Sequence, residues 1–363
     1  MIIKTLKTKN RAIRNRIKAW KLHRISKKFD KDPLSGQTPN LEMVRSIAIL
    51  RWDNKLGDAI MCGVFIRALQ QFRPDIKVTV ISPAFCANWI KKATGCDILL
   101  CEKRSQKTAL GFKKYQGKFD AVIELGSSFD FKELIALQQL GAAINIGYNK
   151  QSHPIFNVNI DSNAVHFKER YLAAAKLFCS EELLTDTTIP VIPFEQQIVL
   201  PTLSKYHNIA INFFGSSKYR QFSEVEATKL ITRWLQDFPN DHFYFIPVPD
   251  KVSTLKNIVK QINNDRVTLI SETPSLELTL KLLSKVDLCF TPDTSVVHMA
   301  SALNTPTLAI YADDPQNLKE WHPLSSQSEV VLNPKAKNNN DRVYVYDFKW
   351  QDLKEKRLKF LQE

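Results

Sequence analysis

Residues 287 to 323 read Asp287-Leu-Cys-Phe-Thr-Pro-Asp-Thr-Ser-Val-Val-His-Met-Ala-Ser-Ala-Leu-Asn-Thr-Pro-Thr-Leu-Ala-Ile-Tyr311, then Ala-Asp-Asp-Pro-Gln-Asn-Leu-Lys-Glu-Trp-His-Pro323. The order is strand, turn, helix, strand. Leu288 to Phe290 form a short apolar run stopped by Pro292, and Asp293, Thr294 and Ser295 are helix-capping residue types ahead of a helix starting near Val296. Val297, Ala300 and Leu303 share a face of that helix. Asn304 ends it, Pro306 prevents resumption, and Thr307 to Tyr311 is a second buried-strand run suited to the next parallel strand of an open sheet. Open parallel sheets bind ligands where such strands end. The backbone N–H groups of residues 294 to 297 are expected to point outward at the helix start, where the macrodipole favours a phosphate or pyrophosphate. An ordinary capped helix gives the same local pattern.

The wider pattern is more specific. Asp293-Thr294-Ser295-Val296-Val297-His298-Met299-Ala300, then Ala302-Leu303-Asn304-Thr305-Pro306-Thr307, then Trp321-His322-Pro323, resembles the (N/P)-D-(S/T)-G-x-x-H-x-A-x-A-L-x-x-P-x signature and later W-x-P of glycosyltransferase family 9, the ADP-heptose lipopolysaccharide heptosyltransferases. The resemblance implies that Asp293, Thr294, Ser295, Val296 and His298 bind the diphosphate of a sugar nucleotide. Ser295 stands where the family usually has Gly, and its Cβ limits how closely the backbone approaches the donor.

Outward from this stretch, the 363 residues suffice for two domains of ordinary size. No run approaches the roughly 18 consecutive apolar residues of a spanning helix, and no signal-peptide core is present, so the chain is expected to act in the cytosol. The six cysteines contain no C-x-x-C pair, which favours buried thiols over a metal site. The net charge of +14 is concentrated at the start: residues 1 to 31 hold twelve Lys or Arg against Asp30, a balance of +11. Ile13, Ile17 and Trp20 lie on one helical face of this segment, and Leu22, Ile25 and Phe29 on nearly the opposite one. Attachment of residues 1 to 31 to an anionic membrane surface, with Trp20 at the interface, is preferred over nucleic-acid binding or a solvated tail. Residues 33 to 40, Pro-Leu-Ser-Gly-Gln-Thr-Pro-Asn, read as a linker that closes an extension over 1–40.

A first domain is expected over 41–190. Arg45 to Leu50 is its opening strand, Arg51 to Asp58 a turn, Ala59 to Phe72 a helix and Lys77 to Ile81 the second strand. G-x-G-x-x-G is absent, so this is no dinucleotide fingerprint. Leu56-Gly57-Asp58-Ala59-Ile60 resembles the family's (I/L)-G-D-x-(V/I) turn, whose acidic residue faces the acceptor sugar; Asn54 and Lys55 replace the commoner Ser-Ser. Inverting transfer needs a base for the acceptor hydroxyl proton, a task suited to a carboxylate. Asp58 is the candidate, against a simple helix-capping role. Lys55, Glu124 and Ser127 are candidate acceptor contacts, the last two at the end of an Asp120 to Leu125 strand.

Residues 186 to 206 read as the interdomain connection, with a donor domain expected over 201–335. Its strand Asn208 to Phe214 leads into Gly215-Ser-Ser-Lys-Tyr-Arg-Gln-Phe-Ser223, which resembles the family's phosphate-gripping loop, with Ser216 or Ser217 as hydroxyl and Arg220 as cation. Glu272 fits the family's ribose-contacting acid. Residues 336–363 are expected to end in a helix, Trp350 to Leu361, that packs back on the first domain.

The resemblance implies an α/β fold of the GT-B kind: two Rossmann-like domains with parallel sheets facing across a cleft that holds the active site. It implies an inverting, metal-independent glycosyltransferase, with no cofactor beyond the donor substrate ADP-heptose. The lipid A-core acceptor would be used at the inner face of the bacterial inner membrane. No nucleic-acid partner is expected. A different nucleotide-sugar donor, prompted by Ser295, and a non-catalytic membrane-attached sugar-nucleotide binder are the alternatives.

Overall fold

The structure is a computed structural model. It describes all residues except 1, 128, 162, 186, 195–197, 335–342 and 362–363, and the side chains of 2–12 and 15 are also outside the description. The chain divides into two compact units, residues 1–190 and 191–363.

Unit 1 opens with a long helix, α1 (Ile2–Phe29), followed by β1 (Ser46–Leu50), α2 (Leu56–Phe72), β2 (Lys77–Ser82), α3 (Ala84–Thr94) and β3 (Asp97–Leu100). After these come α4 (Gln106–Gly111), β4 (Ala121–Glu124), α5 (Phe131–Leu140), β5 (Ile144–Tyr148), β6 (Val158–Ile160) and α6 (Phe167–Ala175). Among the described residues the six strands form one parallel sheet in the order β3-β2-β1-β4-β5-β6. β1, first in sequence, is central, so the chain reverses direction across the sheet between β1 and β4. That is the switch point of a doubly wound sheet, where the loops after two adjacent strands part to leave a crevice. The strands are apolar on both faces because helices cover both: Ile47, Ala48, Ile49 and Leu50 are all buried.

Unit 2 contains β7 (His207–Ile211), α7 (Glu224–Asp237), β8 (Asp241–Phe245), α8 (Val252–Ile262), β9 (Val267–Leu269) and α9 (Leu276–Leu283). Then follow β10 (Leu288–Pro292), α10 (Ser295–Ala302), β11 (Thr307–Tyr311), α11 (Pro315–Trp321), β12 (Ser328–Leu332) and α12 (Trp350–Leu358). The order β12-β11-β10-β7-β8-β9 repeats the first sheet's plan, again parallel throughout. Its switch point lies between β7 and β10. Trp234, Phe243, Phe245 and Phe290 fill the core below it, with ring centroids 5.1 to 5.6 Å apart for Trp234 against Phe290 and Phe243.

The strand at 307–311 matches the expected bounds, and Asn304 takes φ 55°, the left-handed conformation that suits Asn after a helix. Two expectations are corrected. The helix after β1 begins at Leu56 rather than Ala59, so Gly57 and Asp58 lie in its first turn; Leu56 is 7 % exposed, and burying it draws the helix back by one turn. Residues 1–40 are not a separate extension, because α1 packs on α5 and its Leu22, Ile25 and Phe29 cover the unit 1 core. The last helix is anchored within unit 2 by its own contacts. Arg357 makes a two-pronged ion pair with Asp241 at 2.6 and 2.9 Å, both residues being buried, and the Trp350 indole donates to Asp237 at 2.9 Å. The start of the expected 336–363 segment lies outside the described residues, which omit 335–342. So do parts of the expected interdomain connection, at 186 and 195–197.

Candidate active site

In unit 1, β1 ends at Leu50 and the chain turns through Arg51 and Asp53 into α2. Lys55 is the extended residue before the helix and makes no side-chain cap, so Asp58 is not the capping residue. Asp58 sits at the third helical position, within the positive field of the helix start. Its carboxylate is buried and receives Arg51 Nη1 at 3.2 Å, while Arg51 Nε lies 2.8 Å from Asp53. Burial raises the Asp58 pKa above the ordinary value, and Arg51 pulls it part of the way back. The carboxylate is thus more basic than one in water, with the guanidinium opposing part of the effect of burial. Lys55 is largely exposed, with Nζ 4.0 Å from Asp53.

Glu124 closes β4, the neighbour of β1 in the sheet, so it stands at the same switch point. It is 5 % exposed, and burial pushes its pKa up to about 7 against the opposing pull of Lys150. Oε1 accepts the Gly126 N–H at 2.9 Å, and Oε2 lies 3.8 Å from the Lys150 ammonium with no hydrogen-bond partner among the described residues. Lys150 donates to the Gly126 and Tyr148 carbonyls at 2.6 and 3.1 Å. Glu124 and Lys150 therefore grip Gly126 from both sides of its backbone. The Ser127 hydroxyl accepts from Arg170 at 2.7 Å, and the Arg170 guanidinium lies over the Tyr148 and Phe167 rings at 4.0 and 4.1 Å. Glu124 and Ser127 were expected as acceptor contacts; the bonds they make fix the loop at the switch point. Arg51, Lys150 and Arg170 hold these carboxylates and this loop, and the motif reading did not single them out.

In unit 2, Asn212 follows β7 and donates to Thr291 and Thr294 at 3.0 and 3.1 Å, tying the loops after β7 and β10 together. Thr294 is the N-cap of α10. Its hydroxyl accepts the Val296 N–H at 3.2 Å and its carbonyl the Val297 N–H at 3.1 Å. Of the outward N–H groups expected at residues 294 to 297, those two are thus satisfied within the turn, one by the Thr294 hydroxyl and one by its backbone carbonyl. Ser295 is the first helical residue and is partly exposed.

Arg220 and Asp293 meet here: Nη2 lies 2.9 Å from the carboxylate, and Nη1 donates to the Asp293 carbonyl at 3.3 Å. Asn317 Nδ2 adds a third bond to Asp293, at 2.9 Å. Asp293 is buried, and burial raises its pKa despite the guanidinium. The Arg220 side chain stays 45 % exposed, so its fork is oriented by Asp293 while part of it faces solvent. Gly215 lets this loop close tightly, since a Cβ there would meet Arg220 Cβ at 2.9 Å and Thr294 Cγ2 at 3.1 Å. Ser217 caps the short helical turn Lys218–Arg220, and Ser216 is exposed beside it.

His298 is buried against Trp321, with ring centroids 5.4 Å apart, and burial lowers its pKa to about 4. At neutral pH its imidazole is uncharged. Its Nδ1 has no hydrogen-bond partner among the described residues. Glu272 is exposed and pairs with Lys256 at 2.7 Å. Asn212 and Asn317 went unread, although a polar residue closing an apolar strand, as in Ile-Ala-Ile-Asn212, was a signal for the first.

Comparison with known proteins bears on both units. The sequence pattern of glycosyltransferase family 9 (heptosyltransferase) matches residues 109–349, a stretch that leaves Asp58 outside. The protein named "Putative lipopolysaccharide heptosyltransferase 4" of Escherichia coli K12 is 21 % identical over 327 residues, covering 84 % of this chain and 86 % of its own length. Among solved structures, the E. coli ADP-heptose lipopolysaccharide heptosyltransferase II aligns with TM-score 0.60 at 18 % identity, over 87 % of this chain and 98 % of that one. The E. coli heptosyltransferase WaaC with ADP aligns with TM-score 0.54 at 15 % identity, over 87 % and 98 %.

Proposed function

The chain belongs to glycosyltransferase family 9, the heptosyltransferase family, and from that premise we propose that it transfers a heptose from ADP-heptose to the inner core of lipopolysaccharide with inversion at the anomeric carbon. Asp58 is the general base in this reading. The acceptor hydroxyl oxygen forms a bond to the anomeric carbon as the bond from that carbon to the donor's phosphate oxygen breaks on the opposite face. The hydroxyl proton passes to Asp58, and the electron pair leaves with ADP.

The observation that carries the reading is the buried Asp58–Arg51 pair at the switch point of unit 1. A carboxylate with a raised pKa is a better proton acceptor, and the guanidinium 3.2 Å away favours its ionised form. In unit 2, the half-exposed Arg220, aimed by Asp293, and the start of α10 supply positive potential for the departing diphosphate. They are proposed to serve in place of a metal ion. The protein works peripherally at the cytoplasmic face of the inner membrane, with residues 1–31 toward the anionic lipid surface that carries the acceptor. Among the described residues no helix is long and apolar enough to cross a membrane.

Ser295 favours one further reading, in which the same fold takes another ADP- or UDP-sugar. A donor screen separates the two: purified protein is incubated with truncated core lipid and ADP-heptose, ADP-glucose or UDP-sugars, and the lipid mass is measured. The proposal expects a heptose mass increment with ADP-heptose alone. Transfer from another donor in preference would replace it, and nucleotide binding without product from any donor would make the protein a binder.

A further inference from the structure

α1 has two apolar faces with different fates. At 3.6 residues per turn, Leu22, Ile25 and Phe29 fall on one side, and these pack on the unit 1 core. Ile13, Ile17 and Trp20 fall on the other, where they are 54 %, 48 % and 56 % exposed. Arg16 and Lys27 flank this outer face on one side, Lys21 and Lys28 on the other, and the Arg24 guanidinium lies over the Trp20 ring at 4.9 Å. Basic rows beside an aromatic and aliphatic strip form the surface of a helix that lies in the plane of a membrane interface.

The helix is also fixed in direction. Lys18, Ala19 and Leu22 share a cavity of about 310 Å³ with Arg104, Phe129 and Asp130, which belong to the loops at the carboxyl ends of β3 and β4. Lys21 Nζ stands 5.3 Å from the Phe131 ring at the start of α5. At the other end, Asp30 accepts from the Ile155 N–H at 3.1 Å and pairs with His153 at 2.6 Å. Asp32 accepts from Asn157 at 3.4 Å, and the same Asn157 amide donates to Ala143, just before β5. α1 thus runs from the carboxyl edge of the sheet to its amino edge. Residues 2–17 continue past the carboxyl edge, the edge that holds Asp58, for about 24 Å at 1.5 Å per residue.

We propose that the Ile13–Ile17–Trp20 face of α1 is an interfacial docking surface for an anionic bilayer, and that the opposite face locks it to unit 1 so that the docked helix sets the catalytic edge at the lipid surface. The partner is a membrane rather than a protein because residues 1–31 carry a balance of +11 while the other residues share only +3. This rests on the membrane-bound acceptor of the proposed function and refines it: α1 is a rigid stem, not a loose basic tether.

Full-length protein is mixed with vesicles of phosphatidylcholine with and without phosphatidylglycerol, and binding is measured by co-sedimentation. The wild type is expected to bind the anionic vesicles and to retain part of that binding at about 0.5 M salt, where charge attraction alone is screened within about 4 Å. The Ile13→Ser, Ile17→Ser, Trp20→Ser variant is expected to bind at least about tenfold more weakly, with an unchanged melting curve, since these side chains touch no core. Quenching of tryptophan emission by brominated lipid should disappear in Trp20→Phe. Equal vesicle binding by the triple variant overturns the proposal, as does self-association that the triple variant abolishes while vesicle binding persists. No nucleotide or acceptor is used, so failure here leaves the transfer reading standing, and a failed donor screen leaves vesicle binding to be judged by itself.

Discussion

At the residue scale, two buried carboxyls share the switch point of unit 1 and are held differently. Burial raises the Asp58 pKa, and Arg51, 3.2 Å away, restrains the rise. Replacing Arg51 by Gln removes the restraint. The acidic limb of the kcat/KM profile, which reports the base losing its proton, should move to higher pH in Arg51→Gln, with a lower plateau; an unmoved limb would mean that another group is the base. Glu124 titrates at about 7 in the folded chain against 4.5 when unperturbed. Below about pH 4 the carboxyl is protonated in both states and costs nothing. As pH rises the unfolded state releases its proton first, so stability falls until about pH 7 and is level beyond, a total of about 3 kcal/mol. Glu124→Gln should therefore gain on the wild type in urea unfolding across that window by up to this amount, and a gap that does not change with pH would contradict the assignment. Neither environment was legible in the sequence. Asp58 and Glu124 were found from their motifs, but Arg51 was read as part of a turn, and Lys150 reaches Glu124 across 26 positions that no local pattern connects.

At the element scale, strands bounded by proline or glycine were legible and helix starts were less so. Thr307 to Tyr311 follows Pro306 and is apolar throughout, so its bounds were plain. α2 lacked a side-chain cap at Lys55, and its start was displaced by one turn; the burial of Leu56, a tertiary effect, decides it. α12 was expected and its length nearly read, but its destination depends on Asp241, which lies 116 positions from Arg357. Asp241 is 1 % exposed and also accepts from the Trp234 indole at 2.8 Å. Truncating Arg357 leaves that carboxylate buried with its strongest partner gone. Arg357→Ala should destabilise unit 2 by about 3–5 kcal/mol in denaturant unfolding. A loss below about 1 kcal/mol would show that α12 does not hold the unit together.

At the scale of the whole molecule, one plan is used twice. Each unit sets a parallel sheet with its first strand at the centre, and each places polar groups at the resulting switch point: a carboxylate with its arginine in unit 1, an arginine with its carboxylate and a helix start in unit 2. The duplicated plan was legible because the βαβ signals recur in order along the chain. The apolar cover that α1 gives unit 1 was hidden, because the sequence put its apolar residues on two nearly opposite faces without showing that one of them packs on the sheet's helices. The central claim, that Asp58 takes the acceptor proton in a transfer from ADP-heptose, is tested most directly by measuring turnover and donor affinity in parallel for the wild type and Asp58→Asn. The account predicts that the variant loses about 10²- to 10⁴-fold in transfer to truncated core lipid while binding ADP-heptose as tightly as before. Equal turnover by the two proteins would contradict it.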